Sequence, residues 1–424
     1  MTTTTAELIE KARAAKAAAR TLRSLPTGAK NFALLAIAEA VEREETNLLE
    51  ANATDMANGR QAGLEQAFLA RLKLTPAMLA AMANRTRQVV ALPDPVGESF
   101  DARTLSNGMR VERRRVPLGV IGTVYEARPE VPVDISSLCI KSGNTVILRG
   151  SSEAFHTNIA LGRLIRETLA HTDVPADAVQ VVESTDRSLV EQMLKLDEYI
   201  DLLIPRGGAS LVHMVAREAT MPSIIGGIGV CHAYVDADAN PSMASDIVLN
   251  SKVQSPAVCN ALDTLLVHVN SAPAVLLAVA QRLLPAGVEL RCDQRALTLL
   301  GPLGGSRVHA ATDDDFGQEF LGLILSVRVV DSLGEAVAHI ERYGSGHTEA
   351  IVTNDYAAAS RFVDEVDAAV VLVNASTRFN DGGQLGLGAE VAISTNKLHA
   401  RGPMGLRELT TYKWVALGNG HVRE

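Results

Sequence analysis

The chain has 424 residues, 47% hydrophobic and 21% charged, with a formal net charge of −9 and a pI near 5.7. That length suits two or three domains with substantial cores, and the acidic balance argues against a surface for nucleic acid or anionic membrane, both of which attract basic patches. No apolar run reaches the roughly 18 to 20 residues of a membrane span, and four scattered cysteines without metal-ligand spacing make neither a disulfide framework nor a zinc site, so a reducing, cytoplasmic setting is expected.

The opening MTTTTAELIEKARAAKAAARTLRSL lacks the apolar segment of a secretory signal. With Glu7, Glu10 and the following FALLAIAEAVE it reads as a capped surface helix in preference to a basic amphipathic transit peptide. Residues 1 to about 95 are expected as Ala-rich helices broken at Pro26-Thr27-Gly28, Asn58-Gly59 and Pro93-Asp94-Pro95. In TLSNGMRVERRRV (104–116), Asn107-Gly108 between extended runs predicts a hairpin with polar, arginine-rich arms, a projecting ribbon in need of a partner.

From 117 strands and helices alternate: GVIGTVY, the helix VPVDISSLCIKSG, TVILR, a helix to about 170, VQVVE, a helix, IDLLIP, a helix, then PSII. This is the pattern of an α/β domain with a mainly parallel sheet, which binds ligands at the carboxyl ends of its strands. Two such ends, Arg149-Gly150-Ser151-Ser152 and Arg206-Gly207-Gly208, pair an arginine with backbone N–H groups at an expected helix start, an anion-binding arrangement. No G-x-G-x-x-G accompanies them, so a solvated loop is the competing reading. A second α/β segment starts near 231 with GVCHAYV and continues through LTLLG, LILSVRVV, EAIVTND and AAVVLVNAS, with helices between. The extended tail TTYKWVALGNG and the 104–116 ribbon are expected to form one small sheet, an assembly surface.

Cys259 lies in VQSPAVCNALDTLLVHV, between a helix capped at Asn240-Pro241-Ser242 and the apolar strand LDTLLVHV. Ser255-Pro256 is a helix-start pair; a turn of helix there would bring N–H groups near the sulfur and favour thiolate. A reactive thiol and a small buried hydrophobe are both open on position alone. Cys139, Cys231 and Cys292, on an apolar helix face or in strand-like runs, read as structural.

PLGVIGTV, SGNTVILR, IDLLIPRGG, the cysteine segment, QEFLGLI and VNASTRF resemble, in order and spacing, the aldehyde dehydrogenase superfamily. VYEARPEV, IPRGGASL, GVCHAYVD and VVDSLGEAVAHIERYGSGHTEAIVT are most similar to its γ-glutamyl phosphate reductase (glutamate-5-semialdehyde dehydrogenase) family. The resemblance implies an aldehyde-dehydrogenase-like α/β fold: a Rossmann-type NADP(H)-binding domain over 1–101 and 117–230, an α/β catalytic domain over 231–404, and a β oligomerisation ribbon over 102–116 and 405–424.

The activity implied is NADPH-dependent reduction of L-glutamyl 5-phosphate to L-glutamate 5-semialdehyde through a Cys259 thioester, the second step of proline synthesis. Hydrolytic superfamily members carry a glutamate in an E-L-G-G segment; here the stretch is Ile224-Ile225-Gly226-Gly227. Without that base a thioester survives until hydride arrives. The superfamily's oxyanion asparagine falls on Ala127-Arg128-Pro129, where Arg128 would suit an acyl phosphate. The Cys259 N–H with Asn260 or Arg128 is the implied oxyanion site. Arg149, Ser151 and Ser152 would meet a ribose 2′-phosphate, with Arg206, Gly207 and Gly208 nearby on the cofactor. Glu319 in QEFLG matches the residue that bonds the nicotinamide ribose, against the alternative of a solvated carboxylate. Ser376, Arg378 and Asn380 are candidate substrate ligands, as is His347, which reads equally as a structural hydrogen-bonder. No metal is expected; a homo-oligomer (dimer or tetramer) and functional coupling to glutamate 5-kinase are. Two rivals stand beside this reading: a hydrolytic or CoA-acylating aldehyde dehydrogenase, and a catalytically silent scaffold of the same fold.

Overall fold

Thr3–Leu22, Thr27–Arg43, Glu45–Gln61, Gln66–Leu72 and Pro76–Ala91 are the helices that precede the first strand in the computed structural model, which describes residues 3–226 and 228–423. Pro26 stands just before the second helix, and Thr75 caps the fifth, its hydroxyl accepting the Met78 N–H with Pro76 at the first turn. The break expected at Asn58-Gly59 is absent, because Glu45–Gln61 runs through both residues. A Cβ on Gly59 would lie 3.0 Å from Leu69 and 3.1 Å from Leu64. That glycine serves close packing of the following segment rather than a turn.

The contacts divide the chain into one unit of residues 1–225, 386–392 and 404–424 and another of 226–385 and 393–403. The first cut between the units falls between Ile225 and Gly226. The ribbon segments and 386–392 join the first unit instead of standing apart or joining the second.

In the first unit, Val179–Val181, Thr145–Gly150, Val120–Tyr125 and Leu202–Arg206 form a parallel sheet in that order. Apolar side chains cover both of its faces, as a parallel sheet requires. PSII adds no strand; Ser223 makes only an isolated bridge to Leu203. Ser99–Thr104 pairs antiparallel with Arg110–Pro117. Gly108 supplies the positive φ of 87° that their turn needs. The tail strand Thr410–Leu417 then pairs along the whole of Arg110–Pro117, from Thr410↔Pro117 to Leu417↔Arg110. The Arg113 guanidinium lies 4.8 Å from the ring centroids of both Tyr412 and Trp414, giving this small sheet a cation–π face.

The second unit has a seven-stranded parallel sheet in the order Val308–Ala310, Glu289–Cys292, Ile324–Val330, Leu262–His268, Cys231–Val235, Thr348–Val352, Val370–Val373. Helices Pro241–Val253, Ala272–Leu283 and Gln294–Gly304 supply the buried residues of one core, among them Val248, Leu276 and Leu300. LTLLG is helical, not a strand: the Asp293 carboxylate caps the helix at Ala296 N, and Ala296 and Leu300, one turn apart, face the core. Among the described residues no helix is long and apolar enough to cross a membrane.

Candidate active site

Cys259, Asn260, Gly229, Glu319 and His347 converge at the amino ends of the central strands of the second unit. Cys259 and Asn260 precede Leu262–His268, Gly229 precedes Cys231–Val235, Glu319 precedes Ile324–Val330, and His347 precedes Thr348–Val352. The carboxyl edge, where a parallel sheet ordinarily takes its ligand, is not where this chemistry gathers. The Ser255-Pro256 pair starts a turn and not a helix, since Pro241–Val253 has already ended and only a short loop separates it from the buried strand. A second turn, closed by Ala261 N on Val258 O at 3.0 Å, carries Cys259 and Asn260. The helix start expected at Ser255-Pro256 is therefore absent, and Cys259 is partly exposed while the other three cysteines are buried.

The backbone around Cys259 is held from several sides. The Cys231 thiol donates to Cys259 O at 3.2 Å. Gly229 passes so close that a Cβ there would lie 1.6 Å from Cys259 O and 3.1 Å from its Cα. Only glycine fits. Glu319 Oε1 accepts the Gly229 N–H at 2.9 Å, and Ser345 Oγ accepts the Val230 N–H at 2.9 Å. Burial, followed by the neighbouring Asp263, raises the Glu319 carboxyl above its usual range, against the lowering effect of the Gly229 bond. Asp263, itself buried, accepts the Phe320 N–H at 3.2 Å and pairs with buried Lys252 at 3.4 Å, so the segment carrying Glu319 is tied to the strand that follows Cys259.

Asn260 is buried and donates from Nδ2 to Asn380 O at 2.9 Å. Asn380, also buried, donates to Thr348 Oγ1 at 2.7 Å and to His347 O at 3.3 Å. A carbonyl can only accept, which fixes the amide orientation. His347 Nδ1 and Thr348 Oγ1 share a hydrogen bond of 2.7 Å, in which the donor is set by the imidazole tautomer. Burial pushes the His347 pKa down to about 4, so the ring is neutral near pH 7. Ser376 bonds Ser251 at 2.9 Å, and Arg378 Nε donates to Gln254 at 2.7 Å. Both hold the 376–380 turn against the end of helix Pro241–Val253. Sequence reasoning named Cys259, Asn260, Glu319, His347 and Asn380 but missed Gly229, Asp263 and Thr348, and it gave Cys231 no part.

In the first unit the residues assigned to a cofactor lie at the carboxyl edge of the four-stranded sheet. Arg149 is 6% exposed, and its guanidinium donates to the carbonyls of Gly150, Thr185 and Asp186 at 2.7, 3.3 and 3.1 Å. It holds the 185–186 loop, with its guanidinium nitrogens turned to backbone carbonyls. Ser152 is exposed, and the buried hydroxyl of Ser151 has no hydrogen-bond partner among the described residues. The anion sites expected at the two helix starts already hold carboxylates of the chain. Asp55 accepts the His156 and Thr157 N–H groups at 3.0 and 2.8 Å where Phe155–Leu169 begins. Glu126 accepts the Gly208 N–H at 2.9 Å, at the start of Ala209–Glu218. A Cβ on Gly207 would lie 2.6 Å from the Glu126 carboxyl carbon, which explains that glycine. Arg206 ends the strand Leu202–Arg206 and is partly buried. Arg128 is exposed in the loop after Val120–Tyr125. Gly227 lies outside the described residues, while Ile224 is buried and Gly226 bridges Ser394.

The aldehyde dehydrogenase family model matches residues 1–305. A γ-glutamyl phosphate reductase from Roseiflexus castenholzii is 58% identical over 96% of this chain and 97% of that protein. The crystal structure of a γ-glutamyl phosphate reductase from Thermotoga maritima superposes with a TM-score of 0.95 at 44% identity, covering 99% of this chain and 100% of that one. An engineered glycolyl-CoA reductase solved with bound NADP+ shares the fold, with a TM-score of 0.68 at 17% identity over 97% of this chain and 96% of that one. The partly exposed cysteine on a braced turn, the fold and these relatives agree: the chain belongs to the aldehyde dehydrogenase family and, within it, to the γ-glutamyl phosphate reductases.

Proposed function

We propose that the chain reduces L-glutamyl 5-phosphate to L-glutamate 5-semialdehyde and phosphate, with NADPH as the reductant, in the biosynthesis of proline. The observation that carries this reading is Cys259, the one partly exposed cysteine, on a turn whose carbonyl accepts from Cys231 and lies close against Gly229. Its thiolate attacks the acyl carbon, the bond to the phosphate oxygen breaks, and phosphate leaves the cysteine thioester. Backbone N–H groups at 259–260 are the proposed donors to the oxyanion, and exposed Arg128 is the proposed partner of the departing phosphate. Ile224 and Ile225 stand where hydrolytic relatives place their base, so no carboxylate from this segment activates water against the thioester.

The unpartnered Ser151 hydroxyl fits the phosphate-bearing end of a nicotinamide dinucleotide. Arg149, Ser151 and Ser152, with Arg206, Gly207 and Gly208, are proposed to hold that end, the Arg149 charge favouring a 2′-phosphate. Glu319 is proposed to bond the nicotinamide ribose through Oε2 while Oε1 keeps Gly229. When bound, the reduced nicotinamide supplies the hydride. His347, neutral, is proposed to brace the substrate pocket with Asn380, Ser376 and Arg378. A cytoplasmic homo-oligomer that receives its labile acyl phosphate from glutamate 5-kinase completes the reading. The test is a spectrophotometric assay of NADP+ reduction by glutamate semialdehyde. Turnover that requires phosphate supports the proposal, whereas turnover without phosphate, or with CoA in its place, supports a hydrolytic or acylating enzyme.

A further inference from the structure

One buried thiol has no role in the reaction as proposed, although it touches the peptide of the nucleophile. Cys231 begins the strand next to Leu262–His268, is 0% exposed, and places its sulfur 3.2 Å from Cys259 O. A cysteine that served only as a small hydrophobe would have no reason to aim its S–H at that carbonyl. We propose that Cys231 is a positioning residue for the reaction: its thiol holds the Cys259 carbonyl inward and thereby aims the Asn260 backbone N–H to the opposite side, as a donor to the oxyanion.

The link is the planarity of the peptide. The carbonyl of residue 259 and the N–H of residue 260 belong to one trans peptide unit and point in opposite directions. With the carbonyl bonded to Cys231 and pressed by Gly229, rotation of the 259–260 plane is blocked on that side. The Asn260 side chain, bonded to Asn380 O at 2.9 Å, anchors the other end of the unit. Among the described residues no backbone acceptor meets the Asn260 N–H. Cys231 stays in its donor form because burial, then the nearby Asp263, Glu349 and Cys259, push its thiol well above the ordinary range. The two cysteines thus divide the work: Cys259 ionises and attacks, while Cys231 keeps its proton and orients.

This inference rests on the proposed reductase reaction. The experiment compares Cys231→Ala and Cys231→Val, which lack a donor, with Cys231→Ser, which keeps one; valine fills the site, so the comparison survives a poorly folding alanine variant. In the phosphate-dependent reverse reaction, the donor-free variants should lower kcat about tenfold to a hundredfold, the range of a weakened oxyanion donor, with KM for NADP+ within about threefold. Serine should restore kcat to within about threefold of wild type. Alkylation of Cys259 by iodoacetamide develops no oxyanion, so its rate should stay within about threefold in every variant. Native kcat in Cys231→Val, or serine as impaired as valine, overturns the inference. A wild-type chain without phosphate-dependent activity overturns instead the reductase reading, and the inference with it.

Discussion

Replacing Gly229 with alanine puts the geometry of the nucleophile to a quantitative test. The added Cβ would stand 1.6 Å from Cys259 O, whereas nonbonded C···O contacts stop at about 3.3 Å. Backbone must therefore move by about 1.7 Å, because the three atoms nearest the Cβ all belong to the Cys259 main chain and no side-chain rotation relieves the clash. The same residue donates its N–H to Glu319, so displacement disturbs the nucleophile and the proposed ribose ligand together. A misplacement of about 1 Å near reacting atoms costs roughly a hundredfold, and this shift is larger, so kcat should fall at least a hundredfold, about 2.7 kcal/mol in the barrier. The assay is NADP+ reduction by glutamate semialdehyde with phosphate, alongside thermal melting. Gly28→Ala serves as control, since nothing lies within 4 Å of a Cβ at that position. Activity of Gly229→Ala within twofold of wild type, in a folded chain, would refute the argument that this close approach sets the nucleophile.

Further outcomes are expected. Cys259→Ser should lose activity by several orders of magnitude while staying folded, because a hydroxyl without an adjacent base is a poor nucleophile, and substantial residual activity would exclude the thioester. His347 titrates near 4 in the folded chain against 6.5 when exposed, so its contribution to stability is complete above about pH 6.5 and is lost as pH falls towards 4, about 3 kcal/mol in all. Urea denaturation across that window should show a shallower pH slope for His347→Gln than for wild type. Arg149→Ala should raise KM for NADPH over that for NADH by about tenfold, the effect of a lost charge-assisted contact; equal losses would mean that it acts only by holding Gly150, Thr185 and Asp186. Deleting residues 412–424 strips most of the partner strand from Arg110–Pro117 and should lower the sedimentation mass, whereas an unchanged mass would show that the ribbon does not carry assembly.

Local signals were the legible part of this fold. Asn107-Gly108 announced its hairpin because a two-sided turn demands positive φ, and Asn240-Pro241 announced its helix because cap and first turn lie in adjacent residues. LTLLG misled for the opposite reason: a short leucine run has no period, and the capping aspartate four residues upstream decides its state. Cys259 could be singled out by its chemistry and Glu319 by the family resemblance, and the structure brings both to the amino ends of neighbouring strands. The site was not legible where a role depends on distant partners. Asp55 meets a helix start 101 residues away, Glu126 meets Gly208 at a separation of 82, and Cys231 reaches Cys259 O across 28 residues and two strands. Nothing in the sequence around Cys231 distinguishes a thiol that packs from one that donates to a neighbouring carbonyl; only the register of its strand beside Leu262–His268 does.

The most direct measurement of the central claim mixes the chain with NADP+ and glutamate semialdehyde in the absence of phosphate and follows reduced cofactor in the first turnover. A Cys259 thioester shielded from water predicts a burst of about one reduced cofactor per active site, then a stop, with turnover resuming on addition of phosphate and no burst from Cys259→Ser. Continuous turnover without phosphate, or an undiminished burst from the serine variant, would contradict it.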